Sequence, residues 1–455
     1  MLLSAASPAC RSTYFQPVEP PRALSPEEQA KRKEEQKLEN IIEAVKQYAY
    51  AYYDAVIGPS ALPKPKERHS FFNNKDEIRL PDFMDIPPEE ILDSRLRFAE
   101  KNLENVLQSY GLIPQELPEY FAGKGFRLIE FNVGTQNLKI NINLRKIIKK
   151  DEINIELWGT EYKGIKRHVL GASVIECFDI YRLRKQGNEI RGHAGASAPD
   201  YIEVYPERCK ISAKVYYEGI TENKSDIENW INNPDSMGVF LLNNKIDPEF
   251  FMKMGRLLRY EGVKQEFESS GSLEEFIEKF MKMREPQVTM EECQHLIDRQ
   301  GINFNKYSGW RAEIFAHLVE VHTEFNALLA RIYHLPLKNN KDPLGVCFAY
   351  VYEAKKTDRM VTDSHIIASG MVIEKYFDEI TNNREKYPEI SFKEYDANPF
   401  ARDRYGYILK QFSKLTPEHI RDIAKIIYDT MYQNGKRSIE QVVEEIPFEM
   451  RIRGR

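Results

Sequence analysis

Cysteine and tryptophan are scarce in this chain, with five Cys and three Trp among 455 residues. Cys10, Cys177, Cys209, Cys293 and Cys347 are odd in number, scattered, and never spaced as Cys-x-x-Cys. A locally built zinc ribbon or thioredoxin motif is therefore excluded. Five thiols are also too few for a disulfide scaffold, so reduced cysteines in a cytosol-like compartment are expected. No stretch approaches the ~18 uninterrupted apolar residues of a membrane helix. The N-terminus lacks an early Lys/Arg region and a long apolar run, so no Sec signal peptide is expected. An excess of charge of one sign is missing as well. The 65 basic and 70 acidic residues leave a net charge of −5, which argues against general nucleic-acid binding.

What is present is the composition of a folded protein, 42% hydrophobic and 30% charged, with 25 Tyr and 24 Phe. The pattern divides the chain into a flexible N-terminus (1–24), a helical arm with a Pro-rich connection (25–120), a β-rich domain (121–246) and a helical domain (247–455). Ser25-Pro26-Glu27-Glu28 reads as a capping box opening a helix that carries Leu38, Ile41, Val45 and Tyr48, with Gly58 as its stop. A second helix is expected from Glu89 to about Tyr110. From about 126 the period shortens to 2. Leu138, Ile140, Ile142 and Leu144 alternate with polar residues, as do Ile153, Ile155 and Leu157, and Lys149 to Glu152 reads as the turn between them. Further strands are expected at 126–133, 174–183, 201–205, 210–217 and 238–242, in a sheet with one packed and one wet face. Helical spacing returns at Asp247, with long helices at Trp310–His334 and after Thr416, and a short one after Ser438. The fold class is α+β, with a mostly antiparallel β-rich middle between helical segments.

Four features carry chemistry. Residues 139–191 hold twelve Lys/Arg against seven acids, so this block is +5 while the remainder is −10. Such a sheet attracts an anionic nucleotide-type ligand, though outward lysines also solvate an exposed sheet. Next is the loop from Gly187 to Asp200, where Gly192 and Gly195 permit close backbone approach to a ligand and Arg191, His193, Ser197 and Asp200 supply polar groups. Arg191 can clamp a phosphate and His193 can act as acid or base, so these two are the expected catalytic pair. Gly192, Gly195, Ser197 and Arg184 are the expected co-substrate contacts. The Arg191-Gly192-His193 run resembles the NAD-holding segments of mono-ADP-ribosyltransferases, but no Glu-x-Glu follows at a suitable distance.

Third, Glu313, His317, Glu320 and Glu324 share one helix face, read as solvated because no second Glu-x-x-His helix pairs with it. His317 and His322 are five apart, not four as in HExxH, and no metal site is expected. Fourth, Arg311 to His317 and Arg359 to His365 are compatible with the Arg/His spacing of HEPN-type ribonucleases, a pattern short enough to arise by chance. The first 18 residues resemble organelle transit peptides and the leaders of type III secreted effectors. Glu440, Glu444, Glu445 and Glu449 resemble the tails of type IV effectors. The expected function is a bacterial effector- or toxin-like enzyme, cytoplasmic or delivered into a host cell, that uses a nucleotide-type co-substrate to modify a macromolecule. No motif identifies the cofactor. The alternative is an interaction module whose helical half docks a protein partner.

Overall fold

The computed structural model describes residues 25–52, 89–129, 141–178, 194–237, 241–242, 245–357, 363–397 and 404–446. Helices α1 (Pro26–Tyr52) and α2 (Glu89–Ser109) pair through Asn40 with Tyr110 and Gln47 with Asn102, which makes them antiparallel. The capping box forms as its sequence requires. Ser25 Oγ accepts from Glu28 N at 3.2 Å, and Glu28 Oε2 accepts from Ser25 N at 2.7 Å. Gly58 lies outside the described residues. A short α3 (Leu117–Gly123) leads into the sheet, and Ile41, Val45, Leu103, Leu107 and Phe121 form one apolar cluster with Leu128, Leu144 and Ile175 of the strands.

The sheet has five strands in the order β1-β2-β3-β5-β4: β1 (Phe126–Ile129), β2 (Asn141–Leu157), β3 (Thr160–Phe178), β4 (Gly195–Ser197) and β5 (Tyr201–Val204). All pairings are antiparallel except β3 with β5. The turn expected at Lys149 to Glu152 is not there, because β2 runs straight through it, with Lys150 opposite His168 and Glu152 opposite Lys166. The chain reverses at Trp158-Gly159, both with positive φ (55° and 84°). Positive φ at both central positions is the signature of the type I′ hairpin turn, which glycine adopts freely and tryptophan does not. The polar run at 149–152 therefore only lines a strand.

A second correction concerns 210–217, expected as a strand. It lies inside α4 (Pro206–Glu222), where Cys209, Ala213 and Ile220 are buried at helical spacing and Pro206 sits in the first turn. The β-branched Ile211 and Val215 imitate alternation, but the packed face follows the longer period. Of the strands expected at 126–133 and 174–183, residues 130–133 and 179–183 lie outside the described residues, as do 238–240 of the third.

The helical part continues through α5 (Lys224–Asn232), the small ribbon β6 (Leu241–Leu242) with β7 (Lys245–Ile246), α6 (Pro248–Glu268), α7 (Leu273–Arg299) and α8 (Trp310–His334). It then runs through α9 (Lys341–Thr357), α10 (Ser364–Asn382), α11 (Lys393–Ala397), α12 (Arg404–Leu409), α13 (Pro417–Tyr432) and α14 (Ile439–Glu445). Helices and strands thus segregate along the chain, as α+β requires. One large apolar cluster, including Phe250, Phe276, Phe280, Phe325, Phe348, Tyr376 and Phe412, holds these helices together. Each such side chain contributes about 1.5–3 kcal/mol by leaving water. α8 is its axis, because every residue from Val321 to Ile332 is buried.

The β2–β3 hairpin is pinned to this helical body by its own tip. Trp158 stacks on Tyr428 of α13, with centroids 3.8 Å apart and planes at 4°, and on Tyr333 of α8 at 5.1 Å. Its indole Nε1 donates to Gln294 Oε1 of α7 at 2.9 Å, and its backbone N donates to His334 Nε2 at 3.1 Å.

Candidate active site

Because α8 is buried on all sides through its middle, its polar residues there must find partners inside the protein. Glu324 is one of them. The face holding Glu313, His317, Glu320 and Glu324 is not uniformly solvated as expected. Glu313 and Glu320 are exposed, but Glu324 is buried, only 6% accessible. The sequence hid this because the partners come from two other helices. Glu324 Oε2 lies 3.6 Å from His295 Nε2 of α7 and 3.3 Å from His365 Nε2 of α10.

The two imidazoles are placed by different local rules. His365 is the second residue of α10, whose N-cap Asp363 accepts the backbone N–H groups of His365 and Ile366. The same carboxylate stands 3.5 Å from His365 Nδ1, and the ring of Tyr350 stacks on His365 at 5.9 Å. His365 keeps about a third of its side chain in solvent, so the seam opens there. His295 is buried, and its Nδ1 has no hydrogen-bond partner. One turn earlier on α7, Glu291 Oε2 is 3.2 Å from Arg331 Nη1 of α8. Arg331 is itself buried, with Nε and Nη2 unpartnered. Beyond it, Arg284 Nη1 donates to Gln287 Oε1 at 2.9 Å. Tyr216 OH donates to Asp342 Oδ1 at 2.6 Å, under the guanidinium of Arg259.

This environment splits like groups apart. Burial works against the charge of His365, but the carboxylates of Glu324 and Asp363 overcome it and hold the imidazole well above its ordinary range. Burial wins at His295, whose imidazole is pushed down. Adjacent carboxyls also diverge. Burial, with Glu291 and Glu324 nearby, drives Glu292 well above the carboxylate range. Glu291 resists its own burial through Arg331 and Arg284 and stays below that range. Within each pair the two groups are thus pushed in opposite directions, His365 up and His295 down, Glu292 up and Glu291 down. Among the described residues no group of three or more His, Cys, Asp or Glu is arranged to hold a metal ion.

Of the expected site residues, Arg184, Arg191, Gly192 and His193 lie outside the described residues. Gly195 and Ser197 form β4, which packs on α7 beside the seam. A Cβ added at Gly195 would lie 2.7 Å from Glu292 Cγ and 2.8 Å from its Oε1, and Arg299 Nη1 donates to Ser197 Oγ at 3.1 Å. Of the basic block, Lys149 and Arg167 pair with Asp151, and Lys163 pairs with Glu161, while Lys146, Lys150 and Lys166 are exposed. On β5, Ile202 and Val204 face the core. Glu203 points to the opposite side, where Arg127 Nε and Tyr205 OH donate to its two oxygens at 2.9 and 2.5 Å. Arg311 and His317 share α8, whereas Arg359 lies outside the described residues.

Sequence reasoning missed Glu291, Glu292, His295, Arg331 and His365 as a group. A Glu-Glu-x-x-His run at 291–295 on a helix, facing an α8 segment with Glu324 and Arg331, was the available signal. No protein-family model, curated protein or solved structure matches this chain. No helix among the described residues is long and apolar enough to cross a membrane.

Proposed function

We propose that this chain is an enzyme that performs general acid–base chemistry at the His295–Glu324–His365 seam. The observation that carries this reading is one buried carboxylate shared by two imidazoles from different helices, one driven toward the cation and the other toward the neutral ring. Pairs of titratable groups pushed apart in this way are how a site holds an acid and a base at one pH. In this scheme His365 is the proton donor. Its Nε2 faces Glu324 and its Nδ1 faces Asp363, and its partly exposed ring is where a substrate would meet the seam. Glu324 orients the ring and compensates its charge, and His295 Nε2 meets the same carboxylate from the far side.

The co-substrate proposed is an anionic, nucleotide-type molecule from which a group passes to a macromolecule. Its support is the excess of basic residues at 139–191, including exposed Lys146, Lys150 and Lys166. The loop residues Arg191 and His193, three and one positions before β4 begins its approach at Ala194, are proposed contacts for it. A bacterial effector-like role is the context in which such a transferase is proposed to act.

The test is a thermal-shift screen with NAD, ATP, GTP and coenzyme A at low and moderate salt, on the native chain and on Glu324→Gln and Arg191→Ala. A ligand of the folded state raises its stability by mass action. A shift that survives moderate salt and is lost in both variants supports the reading. A flat response to all four ligands overturns the nucleotide assignment and favours docking of a protein partner by the helical half.

A further inference from the structure

Glu292 has an unusual cover. Its side chain is buried, and what lies over it is the backbone of an edge strand. At Gly195 there is no clearance at all. A methyl group there would stand 2.6 Å from Val288 Cγ1, 2.7 Å from Glu292 Cγ and 2.8 Å from Glu292 Oε1, so only glycine lets β4 close on α7. β4 is three residues long and, among the described residues, pairs with β5 alone at the edge of the sheet. Its attachments include the packing of Ala194 against Val288 and Val204, Tyr205 N to Ala194 O at 2.7 Å, Ala198 N to Tyr201 O at 2.8 Å, and the Arg299–Ser197 bond. A short edge strand resting on a carboxyl side chain sits at the low-stability end of local opening.

We propose that Glu292 is a protonation-controlled latch, closed when its carboxyl is neutral under Gly195 and released, with β4 lifting from α7, when that carboxyl ionises. The groups that face Glu292 set the sign. α7 itself contributes Glu291 and Arg299, α8 contributes Glu324, α10 contributes His365, and Tyr205, just after β5, faces it as well. β4 brings no charged side chain, only Gly195, Ala196 and Ser197. An ionised Glu292 therefore meets the Glu291 and Glu324 carboxyls, offset in part by Arg299 and His365, in a buried side chain lying under the Gly195 backbone. Lifting β4 exposes it further to water. The latch is a property of β4 and α7, independent of whether the seam is catalytic. If the seam is catalytic, the latch governs access to Glu292 and Glu324 from the sheet side.

In the closed state the Glu292 carboxyl holds its proton far above the ordinary 4.5, and in the open state it reverts toward that value. Opening then releases one proton, and its equilibrium constant rises about tenfold per pH unit until the closed form ionises. The experiment is amide hydrogen exchange on the full chain from pH 5.5 to 8, with intrinsic exchange rates divided out, following the peptide that contains residues 194–204. Its protection should fall with rising pH in the native chain, by at most about tenfold per pH unit, and be flat in Glu292→Gln, which keeps the shape of the neutral acid. Gly195→Ala, which cannot close, should be unprotected at every pH. Protection independent of pH in the native chain overturns the latch, and so does a slope that persists in Glu292→Gln. Catalytic assays do not enter either criterion, so the latch and the acid–base reading can fail separately.

Discussion

Removing Trp158 tests how firmly the sheet is joined to the helical body. Trp158→Ala deletes two aromatic pairs, with Tyr428 and Tyr333, each contributing about 0.5–1.5 kcal/mol beyond burial. It also strands Gln294 Oε1, in a residue 1% exposed, and an unsatisfied buried acceptor costs about 1–3 kcal/mol. Together these put the loss at about 4 kcal/mol. The backbone supplies an internal control. Position 158 has φ of 55°, a conformation that costs an L-residue about 1–2 kcal/mol and glycine almost nothing. Trp158→Gly should therefore be about 1 kcal/mol more stable than Trp158→Ala, the reverse of the usual order. Urea denaturation of the three proteins, followed by circular dichroism, reads both differences. A loss below about 1 kcal/mol in the alanine variant, or a glycine variant less stable than it, would refute the reasoning.

Further outcomes follow from the seam. The His365 imidazole, held up by Glu324, should titrate above 6.5 by NMR in the native chain and fall in Glu324→Gln. Because its folded value is raised, its contribution to stability is full below pH 6.5 and fades as pH rises through that folded value. Asp298, pushed by burial to about 8, acts in the opposite sense for a carboxyl. Stability is lost as pH climbs from about 3.8 to about 8, and Asp298→Asn should flatten that part of a thermal-denaturation pH profile. Arg331→Met leaves Glu291 in the interior without its partner, a loss of about 3–5 kcal/mol measurable by denaturant titration, and Glu291→Gln in the same chain should recover part of it.

The capping boxes at Ser25 and Ser438, the α8 span and the alternation of Ile153, Ile155 and Leu157 were all legible, because each is a local rule acting on neighbours in sequence. The true hairpin turn was not, since nothing about a Trp-Gly pair announces that tryptophan will accept a left-handed backbone for the sake of a slot between Tyr333 and Tyr428. The seam escaped for a related reason. Glu324 looks solvated on a helical wheel, and its burial is decided by His295, 29 positions earlier, and His365, 41 positions later. Helical periodicity reports which face is apolar, not which polar residues meet across an interface. Gly195 was singled out as a place where backbone approaches something closely, and it does, but the neighbour is a glutamate of the same chain.

The slot for Trp158 also imposes an order on synthesis. Tyr428 leaves the ribosome 270 residues after the tryptophan it receives. At ordinary translation rates of about 5–20 residues per second, that is a delay of roughly 15–55 s. Gln294 of α7 and Tyr333 of α8 emerge within that interval, so the indole meets its first partners before Tyr428 completes the stack. The slot around Trp158 is thus completed only once α13 has emerged, and slowing translation late in the message would delay that closure without changing a single residue.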